Sequence, residues 1–352
     1  MPFNRIFNLF FFPALAVAWS CNAHGQNAQE PEAVAEIALE TAGAIEKYQA
    51  ILQERQAFVD ANPNKPEAYL DLSRAYKTVG RYADAEAQAR RAVEIDESGE
   101  ANAMVGELLY LQGKYSDAET QLKQAAGSIF ALPAAYLYLG RLYLDTGRKT
   151  EAKAQFEYTI RLFRQGRTHG AEGAAATALA SKYLERFHDA NNLFMEATSL
   201  PGNQLDAYVA WGNLFLEKYN RNDAAVTFED ALKINPFYPP ALVGLAEALS
   251  ESRTSLAEAK ALQALNINPS LIEARHLLAR LYLDDEQYDD AVEQLEKALK
   301  VNPESAATRS LLAACYNAMG KQDAYHEEVR RVLDTNPQYG QLYATIADNL
   351  SR

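Results

Sequence analysis

The chain has 352 residues, 48% of them apolar, enough to bury a large core. Asp and Glu number 47 against 34 Lys and Arg, a formal net charge of −13. No basic stripe stands out, which argues against nucleic acid or an anionic membrane surface as partner and weakly favours basic proteins.

Residues 1–25 read as a secretory signal. Arg5 precedes an apolar run from Ile6 to Trp19, interrupted only by Asn8. The run is too short to span a bilayer comfortably and has the length of a signal h-region. Cys21-Asn22-Ala23 and Ala23-His24-Gly25 both offer cleavage sites, and Gln26 to Glu32 is polar. The expectation is an exported protein, periplasmic or envelope-associated, with no transmembrane span in the mature chain. Cys21 raises a lipid anchor. Ala18-Trp19-Ser20-Cys21 is similar to a bacterial lipoprotein box only in part, because Trp19 is bulky and the usual Leu is missing, so an anchor is disfavoured.

Residues 26–65 carry a helical pattern with Ile37, Ile45, Ile51, Leu52 and Phe58, ending at Asn62-Pro63. It reads as an N-terminal cap. Three blocks follow over 66–162. The first has Tyr69, Leu72, Ser73, Tyr76, Gly80, Tyr82, Ala85 and Ala92. Gly106, Leu109, Gly113, Tyr115, Ala118, Leu122 and Ala125 mark the second, and Tyr136, Leu139, Gly140, Tyr143, Gly147, Ala152 and Phe156 the third. Residues 163–204 depart: Gly166, Gly170 and Gly173 lie among Arg161, Arg164 and Arg167. A glycine inside a helix costs about 1 kcal/mol relative to alanine. The stretch is therefore expected to be a degenerate block with an insertion and a bend, or alternatively a domain boundary.

Four more blocks occupy 205–337, where Asn-Pro recurs at Asn235-Pro236, Asn268-Pro269, Asn302-Pro303 and Asn336-Pro337, at spacings of 33, 34 and 34. In the block from Ile272 to Ser305, Leu278, Ala279 and Tyr282 form one apolar stripe and Ala291, Leu295, Ala298 and Leu299 a second. Intervals of three and four place each stripe on one face of a helix. Ala279 and Ala291 are small enough for the two helices to meet, and enlarging either would cost about 1–3 kcal/mol. Residues 338–352 hold a last stripe of Leu342, Tyr343, Ile346, Ala347 and Leu350, with polar Gln341, Thr345, Asp348 and Asn349 between.

These positions resemble the tetratricopeptide repeat, whose motif runs Trp/Tyr, Leu, Gly/Ala, Tyr, then Ala, Phe, Ala and Pro across 34 positions. The resemblance covers nearly everything after residue 62. It implies an all-α solenoid, a right-handed superhelix of antiparallel helix pairs with about eight repeats plus terminal capping helices. Trp211 to Asn220, with Asp223-Ala224, is also similar to a segment of large exported bacterial tetratricopeptide proteins, some of which continue into a zinc-peptidase-like domain.

Catalytic chemistry finds little support. A zinc-peptidase helix needs two His four apart, and in His326-Glu327-Glu328-Val329-Arg330 an Arg stands at the second place. The other histidines, at 24, 169, 188 and 276, show no ligand spacing. Asp284-Asp285 and Asp289-Asp290 sit where helices end and begin, as capping and solvating groups do. Cys315 lies in a helical stripe and reads as a small buried hydrophobe. No catalytic, metal or cofactor residue is assigned, and the chain is read as a non-enzyme.

In this repeat class the first helices line the concave face. The resemblance places Arg74, Lys77, Tyr110, Leu137, Arg141, Leu144, Asn213, Leu216, Arg280 and Leu283 there, with Leu70, Glu107 and His276 beside them. Arg and Asn would hold a peptide backbone or carboxylate through paired donors, and the apolar residues would add contact. Arg141→Glu is then expected to weaken partner binding with little change in stability. The carboxylate-clamp pattern of tetratricopeptide co-chaperones is absent, since Leu70/Arg74, Ala103/Glu107 and Leu137/Arg141 stand at its positions. The expected function is a protein-interaction scaffold of the bacterial envelope. The alternatives are the regulatory or substrate-presenting arm of a larger exported enzyme such as a peptidase, and a hydrolase in the irregular fourth block.

Overall fold

The computed structural model describes residues 30–128, 132–202 and 204–350. The signal segment and Cys21 lie outside them. Eighteen α-helices and no strand are found among the described residues.

A long helix, α1 (Glu30–Ala61), precedes eight antiparallel pairs. The first three pairs are α2 (Pro66–Thr78) with α3 (Tyr82–Ile95), α4 (Gly99–Leu111) with α5 (Tyr115–Ala126), and α6 (Pro133–Asp145) with α7 (Lys149–Arg164). Then come α8 (Gly170–Tyr183) with α9 (Phe187–Ser199), and α10 (Leu205–Glu217) with α11 (Arg221–Ile234). The last three are α12 (Pro239–Leu249) with α13 (Thr254–Ile267), α14 (Ile272–Asp284) with α15 (Tyr288–Val301), and α16 (Ala306–Ala318) with α17 (Gln322–Thr335). A final helix, α18 (Gln341–Leu350), packs on α16. Each pair also packs on the next, giving an α-solenoid.

Local chemistry starts and stops these helices. Proline opens α2, α6 and α12, where the missing N–H costs nothing. Ser98 and Ser305 accept from backbone N–H groups at 3.3 and 3.2 Å as N-caps. Within pairs, a large residue meets a small one. A Cβ on Gly140 would lie 2.3 Å from the Phe156 ring, and one on Gly212 2.6 Å from that of Phe228. Ala279, Ala291, Leu295 and Ala298 are fully buried, in the register that their spacing predicts. In the fourth pair the glycines fall where the chain already turns: Gly166 is in the α7–α8 loop and Gly170 opens α8, both with positive φ. Gly173 sits one turn into α8, so α8 and α9 form a continuous pair.

Successive turns of the solenoid touch. Loops that end later repeats rest on α1 and on the turns of the first three repeats, nearly 190 residues earlier. Asn235 donates to the Tyr48 hydroxyl at 3.1 Å and Asn302 to that of Tyr115 at 3.4 Å. Asn268 bonds Tyr82, and Asn336 donates to the Leu144 carbonyl at 3.0 Å. In all four, Oδ1 also accepts the backbone N–H two residues on, at 3.0–3.2 Å. The Asn-Pro pairs thus turn the chain locally and join successive turns of the superhelix.

Glycines receive three of them. Gly80, Gly113 and Gly147 have φ of 73–75°, and a Cβ there would lie 2.0, 2.3 and 2.8 Å from Oδ1 of Asn268, Asn302 and Asn336. Of the equivalent turns that receive no Asn, three hold Glu185, Tyr219 and Glu286 at φ of 57–59°, and one holds Gly320 at φ of 70°. Steric room, more than backbone angle, separates the two groups.

The long α1 packs on α2 and also reaches α13 across this joint. Its buried face is Ile37, Thr41, Ala44 and Tyr48, with Val59 further on. Ile45 and Phe58, expected in its stripe, are 36% and 41% exposed. A helix wedged between two turns buries a different face from one that caps a single repeat. At the other end, Leu342 and Ile346 of α18 are buried and Tyr343 is 62% exposed. No helix among the described residues is long and apolar enough to cross a membrane.

Gly80→Ala and Gly320→Ala both place Ala at positive φ, a strain of about 1–2 kcal/mol. Only Gly80 faces an Asn, because nothing lies near a Cβ at Gly320. Urea unfolding should show Gly80→Ala losing about 1–3 kcal/mol more than Gly320→Ala. Equal losses would remove the Asn joint from the account.

Candidate partner-binding surface

The position after the small residue of each first helix forms a column along the inner wall. It holds Arg74, Glu107, Arg141, Asn213, Glu247 and Arg280 in the first, second, third, fifth, sixth and seventh repeats. Sign alternates along the first three repeats and again from the sixth to the seventh, so those neighbours attract. Arg280 bonds Glu247, while Arg74 bonds Glu100 and, at 2.8 Å, Asp71.

The column is densest around Glu107. Lys77 Nζ and the Tyr138 hydroxyl donate to the same Glu107 oxygen at 2.7 and 2.6 Å. The Arg141 guanidinium lies 5.1 and 5.3 Å from the ring centroids of Tyr110 and Tyr138, a cation–π arrangement. Tyr110 in turn donates to Asp145 at 2.6 Å. Burial alone would raise the Glu107 carboxyl, but Lys77 and the Tyr138 bond outweigh it and hold it below its ordinary value. For Asp145 burial prevails and its carboxyl is raised. The Tyr110 and Tyr138 hydroxyls are pushed well up, chiefly by burial.

The ten candidate residues separate into three groups. Tyr110, Leu137 and Leu283 are buried among neighbouring helices and offer no face to a partner. Leu70, named with them, is buried too. Stacked repeats press their apolar inner positions together, so these leucines belong to the core. Lys77, Arg141, Leu144 and Leu216 are half-buried. Arg141 is tied into the Tyr110–Tyr138 network, so Arg141→Glu would set a second carboxylate beside Glu107, and its effect on stability is not small. Arg74, Asn213 and Arg280 remain accessible, the Arg74 and Arg280 side chains being 44% and 39% exposed. Sequence reasoning missed Glu247, Tyr138, Asp145 and the Tyr238–Asp206 bond. The alternating column carried the signal for Glu247; the others needed the stacking geometry.

Elsewhere, Cys315 is fully buried and its thiol is pushed up to about 12 by that burial. Glu327 beside His326 is held by Arg330 and Arg331, which gives the expected polar helix surface.

Three stretches match tetratricopeptide-repeat family models: residues 66–98, 104–162 and 282–348. The fold is similar to that of a chain in the crystal structure of the APC/C hetero-tetramer Cut9-Hcn1. The TM-score is 0.56 at 15% identity, over 85% of this chain and 58% of that one. That likeness shows the fold alone. No curated protein matches the sequence. The chain carries tetratricopeptide repeats stacked as an α-solenoid, a fold that typically serves as a non-catalytic scaffold for proteins.

His276 supplies a test of how enclosed the wall is. Its Nε2 lies 2.8 Å from the Thr308 hydroxyl, and burial, reinforced by Arg280, lowers its pKa from 6.5 to about 3. Below pH 6.5 the unfolded chain takes up a proton that the folded chain refuses. Stability from this group is thus complete above 6.5 and falls as pH drops toward 3. The urea midpoint should fall less from pH 7 to 5 in His276→Gln than in the parent; identical slopes would place the imidazole in open solvent.

Proposed function

We propose that the protein is a non-catalytic scaffold of the bacterial cell envelope that receives a peptide or protein segment along its inner wall. The observation that carries this reading is the column of donors and acceptors set one repeat apart. Arg74, Asn213 and Arg280 stand on it within reach of solvent. Asn213 is exposed and makes no side-chain hydrogen bond among the described residues. Exposed ion pairs such as Arg74–Glu100 contribute about 0–1 kcal/mol, so a partner's carboxylate or backbone carbonyl can replace one at little cost. Leu144 and Leu216, half-buried beside the column, supply apolar edges.

Export rests on the signal-like residues 1–25. The same segment argues for proximity labelling in the envelope as the way to find the partner. Affinity for the labelled partner, measured by titration calorimetry, should fall about tenfold or more in Asn213→Ala combined with Arg280→Glu, the range for losing charge-assisted contacts. The melting temperature should change little. Unaltered affinity in a folded variant would remove the inner wall as the binding surface.

A further inference from the structure

This acidic chain has a cationic face, which corrects the impression from composition that no basic stripe exists. Helix α7 carries Lys149, Lys153, Arg161 and Arg164, within about a third of its circumference and over about 22 Å of its length. Arg167 follows in the next turn, and all five are exposed. Arg161 lies 4.6 Å from the Tyr158 ring centroid. The side chains of Lys149, Lys153, Arg164 and Arg167 make no ion pair or hydrogen bond among the described residues.

The neighbours of this face behave differently. Arg148 is held by Glu119 and Glu151, and Arg186 by Glu157, the one carboxylate on this side of α7. A groove of about 600 Å³ runs past Ala154, Glu157, Ile160, Arg161, Arg164 and Gln165. The helix dipole accounts for Arg161 and Arg164 in the last turn of α7. It does not account for Lys149 in the first turn, where positive charge opposes the dipole.

A complement exists on the same molecule. The turn from α14 to α15 bears Asp285, Glu286, Asp289 and Asp290, all exposed and without ion pairs among the described residues. It belongs to the rim that receives no Asn, and neither α14 nor α15 packs on α7 within the chain. We propose that the α7 stripe docks the acidic α14–α15 turn of a second copy of this chain. A long nucleic acid is disfavoured because the rest of the molecule repels it, whereas a short acidic turn meets only the stripe. The two surfaces differ, so the contact is heterologous and a joined pair leaves one stripe and one turn free. This inference is independent of the inner-wall reading.

Sedimentation velocity of the full chain tests it. The chain should associate with concentration at about 50 mM salt, and at least tenfold more weakly at about 300 mM. Lys153→Glu with Arg164→Glu should abolish association, and so should Asp285→Lys with Asp289→Lys. Mixing the two reversed variants should restore it, with circular dichroism unchanged throughout. A chain monomeric at low salt overturns the proposal. So does association that survives both reversals, or an oligonucleotide bound through the stripe by a chain that stays monomeric.

Discussion

The contact between a repeat's closing asparagine and a turn nearly 190 residues earlier sets the geometry of the whole molecule. The separations are 186–192 residues at four successive repeats, so the superhelix advances by nearly the same amount each time. Each asparagine accepts from its own backbone and donates across the joint. That satisfies a polar group that is nearly buried at Asn268, Asn302 and Asn336. The same contact excludes any side chain at Gly80, Gly113 and Gly147.

Contact between turns decides what the inner wall can be. It brings first helices of distant repeats within electrostatic reach, as Lys77 and Asp206 are. The wall responds with alternating sign, as at Arg74, Glu107 and Arg141, and with tyrosines that donate to carboxylates. Charges so enclosed are stable only when paired, which is why Lys77 and Glu107 occur together. Accessible donors remain where the wall meets solvent: Arg74 and Arg280 in ion pairs there, and Asn213 exposed.

Much of the fold was readable in the residues. Period, paired stripes and the meeting of Gly140 with Phe156 all follow from local spacing. The partner of each asparagine was not readable, because Asn-Pro already has a sufficient local role as a turn. No pattern within one repeat says which distant turn it touches. The inner wall was legible in part. Arg74 and Arg280 are accessible, while Leu137 and Leu283 are absorbed into the stack by adjacent repeats. For α1, a stripe drawn through Ile45 and Phe58 assumed one packing partner, and the helix has two.

The central claim is that consecutive turns of the superhelix touch. Spin labels at exposed Lys114 and Glu304 measure this directly, since they flank the Gly113–Asn302 joint from opposite turns. Double electron–electron resonance should give one short, narrow distance in the parent. A broad distribution at long distance, as an open trough would produce, would contradict the account.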